Sequence, residues 1–205
     1  HTRLTSVFIF NFFSLERISS TKKVKLFQYI DNNHPSMVSI DGRCASGKTT
    51  LADLLKQIYD CNVFKMDDFF LQPHQRTTER LTSPGENVNH ERFEQEILIP
   101  LSKHEDVKLR KFNCSTMSIE SAILIPYKPF NIIEGSYSMH SSLQKYYDFS
   151  VFLTVNKGEQ IERLRKRNPK MLNNFIQRWI PLEEAYFNTF SIQDRCDIQI
   201  NTSKA

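Results

Sequence analysis

Residues 42–50 read GRCASGKTT, the G-x-x-x-x-G-K-[ST] spacing of a loop that cradles nucleotide phosphates. Each residue type has a chemical reason. Gly42 and Gly47 let the backbone of Arg43, Cys44, Ala45 and Ser46 curl, so that its N–H groups converge on phosphate oxygens. Gly47 and Lys48 then open a helix whose N-terminal dipole favours an anion. Lys48 has the reach for the β- and γ-phosphates, and the Thr49 hydroxyl, followed by Thr50, suits Mg²⁺. Only 5 glycines occur in 205 residues, so two within one short loop are a placed feature. A chance match in a chain this size is on the order of one per cent. Cys44 reads as a spacer in this loop, not as a nucleophile.

Two further carboxylate positions would complete a phosphoryl-transfer site. Asp67 and Asp68 follow the run NVFKM, where an acid can orient an acceptor hydroxyl and take its proton. Asp67 is the better placed. Glu134 ends FNIIE, where an acid can hold Mg²⁺ through water. Residues 156–159, NKGE, approach the guanine-reading N-K-x-D of GTPases. They have Glu for Asp, no D-x-x-G stands at the third strand, and Lys157 onward reads as a helix start. In IERLRKRNPK, Arg163 and Arg167 share a helical face that Arg165 does not. The bland reading is a solvated charged face; the functional one is a pair of cations closing over the transferring group.

These residues need elements to position them. MVSID, NVFKM, FNIIEG, FSVFLTV and CDIQIN read as strands, and they alternate with helical runs. KTTLADLLKQIYD places Leu51, Leu55 and Ile58 on one face. HERFEQEILIPLSK reads as a helix that Pro100 must kink or end. PLEEAYFNTF reads as a helix starting at Pro181, with Glu183 and Glu184 in its first turn. VKLRKFN and AILIPY form a local strand pair. The alternation predicts an α/β fold, a mostly parallel five-stranded sheet flanked by helices in three layers. Ligands of such sheets bind at strand carboxyl ends, which is where Gly42, Asp67 and Glu134 fall.

Hydrophobic residues make up 40% of the chain and charged residues 24%, with a net charge of +4, a globular balance. Lys and Arg are spread among acids, which argues against a nucleic-acid partner. The four cysteines show no metal-ligand spacing and suggest a reducing, cytoplasmic setting. SVFIFNFF is too short to span a bilayer, so no membrane partner is expected. Residues 1–35 read as a helical prefix with a helix over 22–30, and 36–205 as one domain. That domain has an acceptor-binding insertion near 68–130 and a short lid near 163–180. Oligomeric state stays open.

IDGRCASGKTTLA, MDDFFLQPHQRT, NHERF, IIEGSYS and RWIPLEEAYF together resemble the uridine kinase and phosphoribulokinase family, over roughly residues 36 to 201. The nearest likeness is to short bacterial uridine-kinase-like proteins. The resemblance implies a P-loop NTPase fold and transfer of the γ-phosphate of ATP, with Mg²⁺, to a hydroxyl of a small molecule such as uridine or cytidine. It implies ATP contacts along 42–50 and from Arg163 and Arg167, and Asp67 as the base. It implies acceptor contacts from Asp67, Phe69, His74, Arg76, Asn89 and Tyr137. Asn89 stands where the family carries an Asp that holds the ribose. A different sugar-like or alcohol acceptor, or a nucleotide-binding regulatory module without turnover, are the alternatives.

Overall fold

Five apolar runs become five parallel strands in the computed structural model, which describes residues 20–204. Helix α1 (Ser20–Asn33) leads into β1 (Met37–Gly42), α2 (Lys48–Ile58) and β2 (Cys61–Lys65). The polar excursion follows, carrying two small antiparallel pairs. These are β3 (Val107–Leu109) with β6 (Ile123–Ile125), as expected, and β4 (Phe112–Asn113) with β5 (Ser118–Ile119). Then come β7 (Phe130–Glu134), β8 (Phe149–Thr154), α3 (Lys157–Arg167), α4 (Ile180–Thr189) and β9 (Ile198–Asn201). The apolar run at residues 7–13 lies outside the described residues.

The sheet order is β2-β7-β1-β8-β9, all parallel. β1 is therefore central. Its register sets Ile40 beside Glu134 of β7, and Lys65 of β2 on the other side of Glu134. The carboxyl ends of β1, β7 and β2 thus line up at one edge.

Strand alternation sorts the core into two layers. Val38, Ile40, Ile132, Val151 and Leu153 meet Leu51 and Leu55 of α2 and Leu26 and Ile30 of α1. Tyr29 of α1 also stacks on Phe149, centroids 3.9 Å apart, so the helix drawn to the prefix packs on the sheet. The opposite face, with Phe64, Ile133 and Phe152, meets Tyr186, Phe187 and Phe69. The result is the expected three-layer α/β P-loop architecture.

Prolines shape the helices differently from the sequence expectation. The stretch after Asn89 runs His90–Phe93 in α-helix, a π-helical turn Glu94–Leu98, and Ile99–Ser102 in α-helix. Pro100 has no N–H for Glu96, and the wider turn absorbs the missing bond. Pro181 does not start its helix. The chain is already helical through Leu172–Asn174 and a π-helical turn Phe175–Trp179, which again precedes the proline. Asn156 caps α3, accepting the Glu159 N–H at 2.8 Å. NKGE is thus a helix start, as read.

Candidate active site

The loop leaving β1 turns at Gly42, whose φ is 136°. A Cβ there would lie 2.0 Å from the Leu153 carbonyl oxygen, so only glycine permits this approach to β8. Arg43 N–H donates to that same oxygen at 3.0 Å. Ala45 (φ 58°) and Gly47 (φ 97°) are left-handed, the alternation that turns successive N–H groups into a concave nest. At Gly47 nothing lies within 4 Å of a built Cβ. α2 begins there with no side-chain cap, and its first N–H groups have no intrahelical acceptor. Ser46 Oγ is buried without a partner. Uncapped donors, an orphaned hydroxyl and open space at Gly47 fit a phosphate group.

Lys48 folds over the loop. Its Nζ donates to the carbonyls of Gly42 (2.7 Å) and Arg43 (3.0 Å) and to Ser136 Oγ (3.3 Å). The ammonium is held in the loop mouth, bound by neutral acceptors and one hydroxyl.

Thr49 and Glu134 meet at the strand ends: Thr49 Oγ1 donates to Glu134 Oε1 at 3.1 Å. Glu134 is buried, and burial raises its pKa. Lys48 and Thr49 pull it back, and Asp67 pushes it up again. Lys65 Nζ stands 3.8 Å away. Two oxygen donors beside the lysine suit a hard cation such as Mg²⁺.

The neighbouring aspartates are unlike. Asp68 pairs with Lys111 at 3.1 Å. Asp67 is exposed, and no hydrogen bond or ion pair engages it among the described residues. It lies near enough to Glu134 to be felt electrostatically. Asp67 is therefore the carboxylate available to an incoming group.

The loop is braced by residues whose sequence context gave no such signal. Glu183 of α4 accepts the Cys44 N–H at 2.9 Å and the Ser136 hydroxyl at 2.7 Å. Glu184 forms a two-bond fork with Arg43, at 2.6 and 2.9 Å. Asp41 is fully buried and accepts from Gly42 N–H (2.6 Å), Met139 N–H (2.9 Å) and Tyr186 O–H (2.9 Å). Burial lifts it to about 6 against those bonds and the Lys48 charge. Burial and Glu183 push the Cys44 thiol up, so it stays a thiol, consistent with a spacer role.

Several expected contacts have other duties. Arg163 does not point outward: its guanidinium donates to Ala45 O and Thr202 Oγ1, both at 2.9 Å, and to Glu159. It supports the loop from behind. Arg167 is exposed, with its guanidinium 5.8 Å from the Phe175 ring centre. Phe69 is fully buried, packed edge-on to Phe93 and under the Arg92 guanidinium. It is a core side chain, not an exposed contact. Asn89 is buried. It accepts the Arg92 N–H at 3.1 Å and donates to Gln75 at 2.9 Å. Tyr137 is buried against Tyr186 at a φ of 76°. His74 and Arg76 are exposed on the excursion. Asn89 N–H donates to Phe69 O at 2.7 Å, and Phe70 bridges Val88, which closes the base of that excursion.

The strand order and the glycine loop define an α/β P-loop fold. Solved structures share it. A possible uridine kinase from Bacillus stearothermophilus matches with 21% identity and a TM-score of 0.63, over 85% of this chain and 93% of its own. A protein provisionally named a fructose transport system kinase, from Silicibacter sp. TM1040, matches with 22% identity and a TM-score of 0.63, over 85% and 94%. TT1252 from Thermus thermophilus matches with 14% identity and a TM-score of 0.51, over 83% and 90%. No family model matches the chain, and no curated protein matches it. At these identities the likeness is one of fold.

Proposed function

We propose that this chain is an ATP-dependent phosphotransferase acting on a hydroxyl of a small molecule, with a nucleoside such as uridine or cytidine as the first acceptor to test. The single observation that carries the reading is the convergence of Lys48, Thr49, Glu134 and a partner-free Asp67 at adjacent strand ends. ATP supplies the phosphoryl group; Thr49 and Glu134 would hold Mg²⁺, which would supply positive charge against the phosphates. The backbone of residues 43–49 holds the anion. Lys48 exchanges loop carbonyls for phosphate oxygens, at little cost because both are hydrogen-bond acceptors. Asp67 orients the acceptor hydroxyl and receives its proton. The sequence segments quoted above support a nucleoside. Asn89 in place of a carboxylate, with its amide already engaged, keeps a different sugar-like alcohol as the second acceptor class.

The test is ADP release across nucleosides, pentoses, sugar phosphates and pantothenate-like alcohols. Uridine or cytidine is expected to lead. Asp67→Asn should lower kcat by about 10²- to 10⁴-fold with nucleotide binding intact, and Lys48→Ala should also impair nucleotide use. ATP-dependent stabilisation with no ADP formed from any acceptor would support a module without turnover instead. Unchanged transfer in both variants would remove the assignment.

A further inference from the structure

A second cluster lies where the excursion meets the segment after β7, and it shares no residue with the candidate active site. Glu86, His90 and His140 each present a ligand atom, all within 4.8 Å of one another. His90 Nε2 stands 3.2 and 3.3 Å from the two Glu86 oxygens, and His140 Nε2 stands 3.7 Å from Oε1. On the opposite edge of both rings lies one hydroxyl: Ser142 Oγ is 2.9 Å from His140 Nδ1 and 3.3 Å from His90 Nδ1. The two imidazoles stack with centroids 3.9 Å apart and planes 18° from parallel.

The surroundings of these side chains suit a cation. When Ser142 Oγ accepts both Nδ1–H groups, both Nε2 lone pairs face Glu86; in the metal-free chain the Ser142 N–H, 3.4 Å from His140 Nδ1, suits the tautomer in which that ring donates from Nε2 instead. A cation bound there takes the place of the Nε2–H donors to Glu86 and stabilises the Nδ1–H tautomer that Ser142 Oγ accepts. The side chains of His90 and His140 are only 11% and 7% exposed, while Glu86 is 31% exposed and opens one side to water. Arg80, 3.5 Å from Glu86, holds that carboxylate in place.

We propose that Glu86, His90 and His140 form a binding site for a divalent transition-metal ion of the zinc class, oriented by Ser142. Two imidazoles and one carboxylate are a borderline-soft donor set that suits zinc over Mg²⁺ or Ca²⁺. With metal–ligand bonds of roughly 2.0–2.1 Å, the edges of a tetrahedral shell are about 3.3 Å, near the 3.2 and 3.3 Å measured to His90. A metal lies in the plane of each ring it binds, so as it enters the two Nε2 atoms converge on it and the stacked rings splay at their far edges. Water fills the fourth position on the Glu86 side. The bound ion joins Glu86 and His90 of the excursion to His140 of the core. A built Cβ at Gly85 meets His140 and Tyr186 at 3.0 and 3.1 Å, so the site is packed against the helix that braces the phosphate loop.

The experiment uses the full chain, dialysed against chelator and titrated with Zn²⁺ alone and Co²⁺ alone. The expected result is saturation at one equivalent, a melting temperature that climbs with Zn²⁺, and Co²⁺ d–d bands without a thiolate charge-transfer band. His140→Ala and Glu86→Gln should abolish the saturable response. Ser142→Ala, which leaves the ligands in place, should weaken it about 10- to 100-fold. If His140→Ala does not fold, Glu86→Gln and Ser142→Ala decide. No saturable response in the parent chain, a response untouched by those variants, or a thiolate band pointing to the cysteines overturns the site.

Discussion

Glu183 and Cys44 are joined across the sheet edge: the carboxylate of α4 accepts the Cys44 N–H at 2.9 Å, so an acid is seated on the rim of the phosphate loop. The same carboxylate takes the Ser136 hydroxyl at 2.7 Å, and Ser136 also meets Lys48. One hydroxyl therefore links a buried acid to the lysine expected to meet phosphate. The bracing orders the loop, but the negative charge opposes an anion entering beside it.

Removing that charge while keeping the shape separates the two effects. In Glu183→Gln the amide oxygen still accepts the Cys44 N–H, and Ser136 still has the Gly42 carbonyl at 3.1 Å. At about 6 Å in a water-like dielectric, one unit charge is worth about 0.7 kcal/mol. Nucleotide affinity is predicted to rise about threefold or more, measured by calorimetry with ATP and Mg²⁺. A weaker affinity would mean that bracing outweighs repulsion.

The two loop glycines should fail in different ways. Gly42→Ala puts a Cβ 2.0 Å from Leu153 O, so the variant is expected not to reach the native fold by circular dichroism. Gly47→Ala meets nothing within 4 Å and carries only the left-handed strain of about 1–2 kcal/mol. It should fold, yet lose thermal stabilisation by ATP, because its methyl fills the space above the α2 N-terminus. Normal ATP stabilisation of Gly47→Ala would show that this space is not the phosphate site.

What was legible in the sequence was what is local. The glycine spacing, the strand before it and the amphipathic face of Leu51 and Leu55 all sit within one βα unit, and the structure has each of them. Thr49 and Glu134 meet because parallel strands put their ends together, which topology rules anticipate. What was illegible depends on distant partners. That Lys111 pairs with Asp68 and leaves Asp67 open could not be read from DD alone. Phe69 and Phe70 look alike in DDFF, but one is core. Glu183 reads as a favourable first-turn acid until Cys44 appears opposite it, and Arg163 reads as a free cation until Ala45 and Thr202 claim it.

Asp41 gives a pH prediction. Its folded pKa, about 6, lies above the ordinary value of 3.8, so the folded chain holds this proton more tightly than the unfolded one. Its contribution is therefore greatest below about pH 4 and is lost as pH rises through 6. The groups acting on it are Lys48 of α2 and Tyr186 of α4, with Tyr147 and Cys196 also in its field. The shift corresponds to about 3 kcal/mol. Urea unfolding of the parent chain and Asp41→Asn at pH 4 and pH 7.5 isolates the group. The parent should lose about that much more stability between the two pH values than the variant. Equal losses would mean that the carboxylate titrates normally.

Arg163 separates bracing from catalysis. Its guanidinium spans Ala45 O, Thr202 and Glu159, and Thr202 Oγ1 in turn donates to Ser46 O at 2.8 Å, so α3 and the chain after β9 are tied to the loop backbone. A lysine there keeps the charge but lacks the planar fork, and cannot serve Ala45 and Thr202 together. Arg163→Lys is predicted to cost about 1–3 kcal/mol of stability and to weaken nucleotide binding. Its kcat at saturating ATP should stay near that of the parent. An arginine that steadied the transferring phosphoryl group would behave in the opposite way, with kcat falling by about 10³-fold or more. Arg167→Ala is the companion measurement: its side chain is exposed and lies near Phe175, so melting temperature should hardly move. If Arg167→Ala lowers kcat while Arg163→Lys does not, Arg167 is the arginine that acts on phosphate; if both leave kcat intact, α3 contributes to the loop and not to the chemistry.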